Sequence, residues 1–109
     1  MNVGQGILNK GQIINNDYTV KFFLKKGSYA ETYRVKDKTG KAQFLKLFVL
    51  AKLHRTQFDE NGNVLEIEIL KRTNHPNVVK YYDSEEFVLN GNKYAYVILD
   101  YISGETLAD

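Results

Sequence analysis

The chain has 109 residues, about one domain, and 43% of them are hydrophobic, enough for a small core and too many for a disordered segment. The 15 basic and 13 acidic residues leave a formal net charge of +2, with the basic residues scattered, so the balance gives no case for nucleic acid or a membrane surface as partner. Cysteine is absent, which excludes disulfides and thiolate metal sites, and no apolar run reaches signal-peptide or bilayer-spanning length, so a cytoplasmic location is expected.

Residues 1–16 are rich in Gly and Asn and read as a loose lead-in, with Gln12-Ile13-Ile14 offering an extra edge strand. From Tyr18 to Lys26 aromatic and aliphatic side chains favour a strand, which Gly27-Ser28 breaks. Ala30 to Lys36 returns as a second strand. Asp37-Lys38-Thr39-Gly40 has turn chemistry, so a third strand, Ala42 to Val49, should pair antiparallel with the second. Leu50 to Arg55 predicts one helical turn before the polar break Asp59-Glu60-Asn61-Gly62. The main helix is placed from Asn63 to Thr73, and Pro76 ends any continuation. Two further strands, Val79 to Leu89 and Lys93 to Tyr101, flank Asn90-Gly91, a pair suited to a tight hairpin turn. The prediction is an α+β fold over residues 17–109, a five-stranded antiparallel sheet with one packed helix.

One residue sits oddly in this pattern. Lys46 lies inside Phe44-Leu45-Lys46-Leu47-Phe48, where alternation puts Phe44, Lys46 and Phe48 on one face and Leu45, Leu47 and Val49 on the other. Neither face looks wet, and an ammonium buried without a partner would cost several kcal/mol. An ordinary snorkelling lysine on an edge strand is the plain alternative. The nearest candidate anion is Glu66, which helical spacing places with Ile69, Leu70 and Thr73, whereas Glu68 faces Lys71 and Arg72 as a surface charge. Pairing Glu66 with Lys46 would solve both burial problems. A capping box between Asn63 and Glu66 is the competing use of the same carboxylate.

The surroundings add a pattern. A strand, a glycine turn (Gly27-Ser28-Tyr29-Ala30) and a strand precede Lys46; Glu66 stands nine residues before His75-Pro76-Asn77; a tight Asn90-Gly91 turn leads into Tyr96-Val97-Ile98-Leu99-Asp100-Tyr101-Ile102-Ser103-Gly104. In this order and spacing the chain resembles the amino-terminal lobe of the eukaryotic-type protein kinase family, serine/threonine type, from about Tyr18 to Asp109.

The resemblance implies an ATP-binding lobe, with ATP and Mg2+ as cofactor. Gly27, Ser28, Tyr29 and Ala30 would cover the phosphates, since a missing Cβ lets backbone N–H groups approach an anion. Lys46 would hold the α and β phosphates and Glu66 would fix its ammonium. Leu99 would stand at the back of the pocket, and the backbone of Asp100 and Ile102 would meet the adenine edge. His75 would be structural, and Leu53-His54-Arg55-Thr56 only superficially resembles a catalytic-loop motif. No metal ligand is assigned within the chain.

Two departures stand out. Only the middle loop glycine is kept: Lys25 occupies the first position, either adding charge near the phosphates or pointing to solvent, and Ala30 occupies the third. Phe44 replaces the small residue that lines the adenine pocket. The family's catalytic base and metal-binding aspartate belong to a second lobe, so the chain is expected to be an inactive piece, truncated at the hinge, of a parent that transfers the ATP γ-phosphoryl group to protein hydroxyls. Its expected partners are that carboxy-terminal lobe and the parent's protein substrate, with self-association through the exposed lobe face. A pseudokinase or scaffold module is the alternative.

Overall fold

The computed structural model describes residues 6–72 and 79–101. Six antiparallel strands form one sheet, β1 (Ile13–Ile14), β2 (Tyr18–Lys26), β3 (Ala30–Lys36), β4 (Ala42–Val49), β5 (Val79–Leu89) and β6 (Asn92–Tyr101), in the order β1-β2-β3-β4-β6-β5. One helix, α1 (Leu65–Arg72), and two single 3-10 turns, Leu50–Lys52 and Arg55–Gln57, fill the crossover from β4 to β5. The α+β architecture therefore stands, with the extra edge strand at Ile13–Ile14 pairing with Tyr18 and Thr19.

Local chemistry sets the boundaries. Asn90 and Gly91 both take positive φ, 53° and 82°, the geometry that a two-residue hairpin turn requires. At the β3–β4 turn the Asp37 carboxylate accepts from the Thr39 and Lys41 amides, each at 2.9 Å. Asp59 plays the same part before the helix, accepting from the amides of Asn61 and Asn63. With Gly62 at φ 84° and Val64 bridged to Phe58, the chain stays non-helical until Leu65, two residues later than the predicted start.

The central strands β4 and β6 are buried on both faces, which is why they read as nearly continuous apolar runs. One face carries Val20, Tyr33, Val35, Leu45, Leu47, Tyr96 and Ile98. The other carries Ala30, Phe48, Ala95 and Val97, covered by Val64 and Ile67. Register shifts in β2 and β5 increase the local twist. The sheet curls until the Tyr18 hydroxyl donates to Asp83 on β5 at 2.8 Å, across 65 residues of sequence. The helix stripe differs from the predicted one: Val64 and Ile67 are buried, while Ile69 is 53% exposed. Glu66 flanks this stripe instead of sharing it, and Thr73 lies outside the described residues.

Residues 6–16 are attached more firmly than a loose lead-in. Leu8 and Ile14 belong to the core. The Ile7 amide donates to the Glu31 carboxylate at 2.8 Å and the Leu8 amide to the Tyr33 hydroxyl at 3.0 Å, while that hydroxyl donates to Glu31. Glu31 is only 4% exposed, and these donors offset its burial. A Cβ on Gly6 would fall 2.2 Å from the Tyr33 hydroxyl oxygen. Gly6→Ala should accordingly destabilise the fold by about 1–3 kcal/mol in urea denaturation, the usual cost of overpacking.

The buried tyrosines give the fold an alkaline limit. Burial pushes the Tyr96 hydroxyl from 10.0 up to about 12. Burial, then hydrogen bonds to Asp83 and Glu31 respectively, raises Tyr18 and Tyr33 well above the ordinary range. A raised acid pKa means the folded state keeps protons that the unfolded state loses, so this stability is complete below pH 10 and is lost as pH rises through 12. Ultraviolet titration should therefore show Tyr18, Tyr33 and Tyr96 ionising together with unfolding.

Candidate functional site

Strand β4 lies between β3 and β6, and its register places Lys46 opposite Thr32 on one side and Val97 on the other. Alternation turns Lys46 to the α1 side of the sheet, with Phe48. There its Nζ meets Glu66 Oε2 at 2.5 Å and lies 5.4 Å from the centroid of the Phe48 ring. The Glu66 carboxylate, for which a capping role competed, is thus engaged by Lys46. The burial is less complete than the sequence implied, since the two side chains are 29% and 38% exposed. An ion pair this open to water contributes at most about 1 kcal/mol.

The ammonium opens onto a cleft of about 320 Å³ lined by Lys25, Gly27, Ser28, Tyr29, Ala30, Thr32 and Lys46. The β2–β3 turn above it is tied at two points: the Gly27 amide donates to the Ala30 carbonyl at 2.8 Å, and the Tyr29 carbonyl accepts from the Val49 amide at 2.9 Å. The Tyr29 ring stacks on Phe48 with centroids 6.4 Å apart and so anchors the turn to the core. Gly27 and Ser28 are left exposed. Gly27 does not hold a left-handed φ, and a Cβ there would meet only the Ala30 carbonyl at an ordinary 3.5 Å. Nothing in the fold requires glycine at this place.

The remaining expected positions are set apart from the cleft lining. Phe44 pairs with Arg34 and Leu99, and the Arg34 guanidinium lies 5.5 Å from its ring centroid, a cation–π distance. Leu99 packs against the helix-side core. The Asp100 carboxylate accepts from Lys41 at 2.9 Å and from the Gln43 amide at 3.2 Å, fixing the end of β6 to the start of β4. The resulting ion pair raises the Lys41 pKa. Ile102 and His75-Pro76-Asn77 lie outside the described residues. His54 opens the second 3-10 turn, its backbone N–H donating to the Gln57 side-chain carbonyl at 2.8 Å, a structural duty. Thr32 is the lining residue that sequence reasoning passed over; its signal was alternation, two places after Ala30 and opposite Lys46.

No protein-family model matches the chain. Over 102 residues it is 34% identical to serine/threonine-protein kinase 1 of Arabidopsis thaliana, covering 89% of this chain and 11% of that protein. Over 108 residues it is 34% identical to calcium-dependent protein kinase 4 of Plasmodium berghei (strain Anka), covering 97% and 19%. Human serine/threonine-protein kinase Nek2 is 29% identical over 93 residues, 84% of this chain and 20% of the relative. The chain thus spans roughly a tenth to a fifth of the length of these relatives.

The exposure of the ion pair sets an expectation for stability. Lys46→Met and Glu66→Gln should each shift the unfolding free energy by no more than about 1 kcal/mol. Chemical denaturation checks this, and a loss of several kcal/mol would make the pair a structural element of the core.

Proposed function

We propose that this chain, a protein-kinase-like amino-terminal lobe homologous to serine/threonine protein kinases, holds the phosphates of ATP in the cleft beneath its β2–β3 turn. The observation that carries the reading is a fixed ammonium, Lys46 oriented by Glu66, opening onto that cleft. The cleft chemistry fits a phosphate chain: a cation on the sheet floor, a hydroxyl at Thr32, and a turn whose glycine answers no need of the fold. An anion drawn close to the turn backbone would supply that need.

MgATP would bring the transferable phosphoryl group and the metal's charge. In a protein that also carries a catalytic base and metal-binding carboxylates, the γ-phosphoryl group would pass to a protein hydroxyl. The residues of this lobe bind and orient. Lys46 neutralises phosphate oxygens, Glu66 keeps the ammonium from turning away, and the 27–30 turn limits access of water. Leu99 and the backbone of Asp100 and Ile102 are the proposed adenine-facing positions, with a carboxy-terminal lobe and a protein substrate as partners.

A second reading, a scaffold with weak or no nucleotide binding, is favoured by one observation. Phe44 and the Arg34 guanidinium stacked on it occupy the same face of β4 as Lys46, beside Leu99, where the adenine ring would lie.

Thermal shift with MgATP separates the two. Binding at 100 times the dissociation constant should raise stability by about 2.7 kcal/mol. Gly27→Ala should leave stability within about 0.5 kcal/mol and weaken the nucleotide response. A wild-type protein without a shift, with one appearing in Phe44→Ala, would establish the scaffold reading.

A further inference from the structure

Strand β2 does not alternate cleanly. Phe23 pairs with Tyr33 and faces the tyrosine-rich core, where its ring meets Tyr33 edge-on. Strict alternation would then send Lys25 to that same face. A register shift between Phe23 and Lys25 absorbs Leu24 as an extra residue, so Lys25 pairs with Thr32 instead. Bulges of this kind re-aim side chains. Because Thr32 also pairs with Lys46, the shift sets Lys25, Thr32 and Lys46 in a single row across β2, β3 and β4. At the usual strand spacing the two lysine backbones stand roughly 10 Å apart on one face. Both side chains line the same cleft.

The two ammonium groups differ in their partners. Lys46 is matched by Glu66, whereas no carboxylate pairs with Lys25 among the described residues. Its neighbour Lys26 stands opposite Glu31 in the backbone register and belongs to the opposite face. The cleft therefore holds one compensated cation and one uncompensated one, the second brought there by a bulge.

We infer that Lys25 is a specificity-determining residue of this cleft, a second phosphate-binding cation that selects extended, highly charged polyphosphates over monophosphates. The inference rests on the proposed reading of the cleft as a phosphate site and deepens it. Lys46 takes one phosphate group. Lys25, across Thr32, takes the next along the chain, and a single phosphate cannot satisfy both.

Calorimetric titration of the wild-type chain and of Lys25→Ala and Lys26→Ala with inorganic tripolyphosphate, ATP and AMP tests this. Lys25→Ala should weaken tripolyphosphate and ATP about tenfold, the loss of one charge-assisted contact, and should leave AMP nearly unchanged. Its binding should also fall less steeply with salt. Lys26→Ala, which removes the same charge from the other face, should match wild type. Equal losses in both variants would reduce the effect to net charge and overturn the inference, leaving the cleft reading intact. Tripolyphosphate binding that depends on Lys25 while ATP binds no tighter would uphold the inference and remove the adenine part of the proposed function. Failure of wild type to bind either polyphosphate would overturn both.

Discussion

The molecule depends on the unbroken register of β4 between its neighbours. From Ala30 opposite Phe48 to Lys36 opposite Ala42, and from Phe44 opposite Leu99 to Val49 opposite Tyr94, the pairing runs without a bulge. Both faces of β4 are apolar, so a slip of one residue would drive Lys46 among Tyr33, Tyr96 and Ile98, on the face away from Glu66, and would lift Leu45 and Leu47 from the core they share. The position of the cleft cation is therefore set by the hydrophobic pattern of the strand that carries it. The ion pair follows from that pattern and contributes little to it.

Burial and orientation separate at this site. Glu66 projects from beside the buried Val64 and Ile67 stripe of α1, so packing of the helix fixes where the carboxylate stands. The carboxylate in turn fixes the ammonium while water still reaches both. An arrangement of this sort fixes a charge at the surface of the sheet without sealing it in the low-dielectric interior, where the desolvation penalty can exceed the gain. The Tyr29–Phe48 stack does the same for the turn, holding one of its residues in the core while Gly27 and Ser28 stay open.

Much of this was legible in the sequence because it follows from local rules. Strands β2, β3, β4 and β5 fall where alternation, turn chemistry and the Asn90-Gly91 pair placed them, and the Lys46–Glu66 pair is one of the two uses of Glu66 that the residue pattern left open. What escaped was non-local. The bulge at Leu24 has no mark in composition, so Lys25 could be read as facing either way. Spacing groups Ile69 with Glu66 but cannot tell which of two flanking rows meets the sheet, and the row that does carries Val64 and Ile67. Phe44 was correctly placed on the Lys46 face, but its cover by Arg34 depends on the cross-strand partner, which only the pairing supplies.

The docking of residues 6–12 bears on where this domain begins. A boundary drawn at the first long strand would discard the amides of Ile7 and Leu8, taking one donor from the Glu31 carboxylate and one from the Tyr33 hydroxyl and uncovering both. Glu31 is the residue that follows the β2–β3 turn, one step from Ala30 at the edge of the cleft. Trimming the amino terminus to the apparent start of the sheet would thus unsettle the hairpin at the opposite end of β3 and reshape the cleft without a single lining side chain having changed.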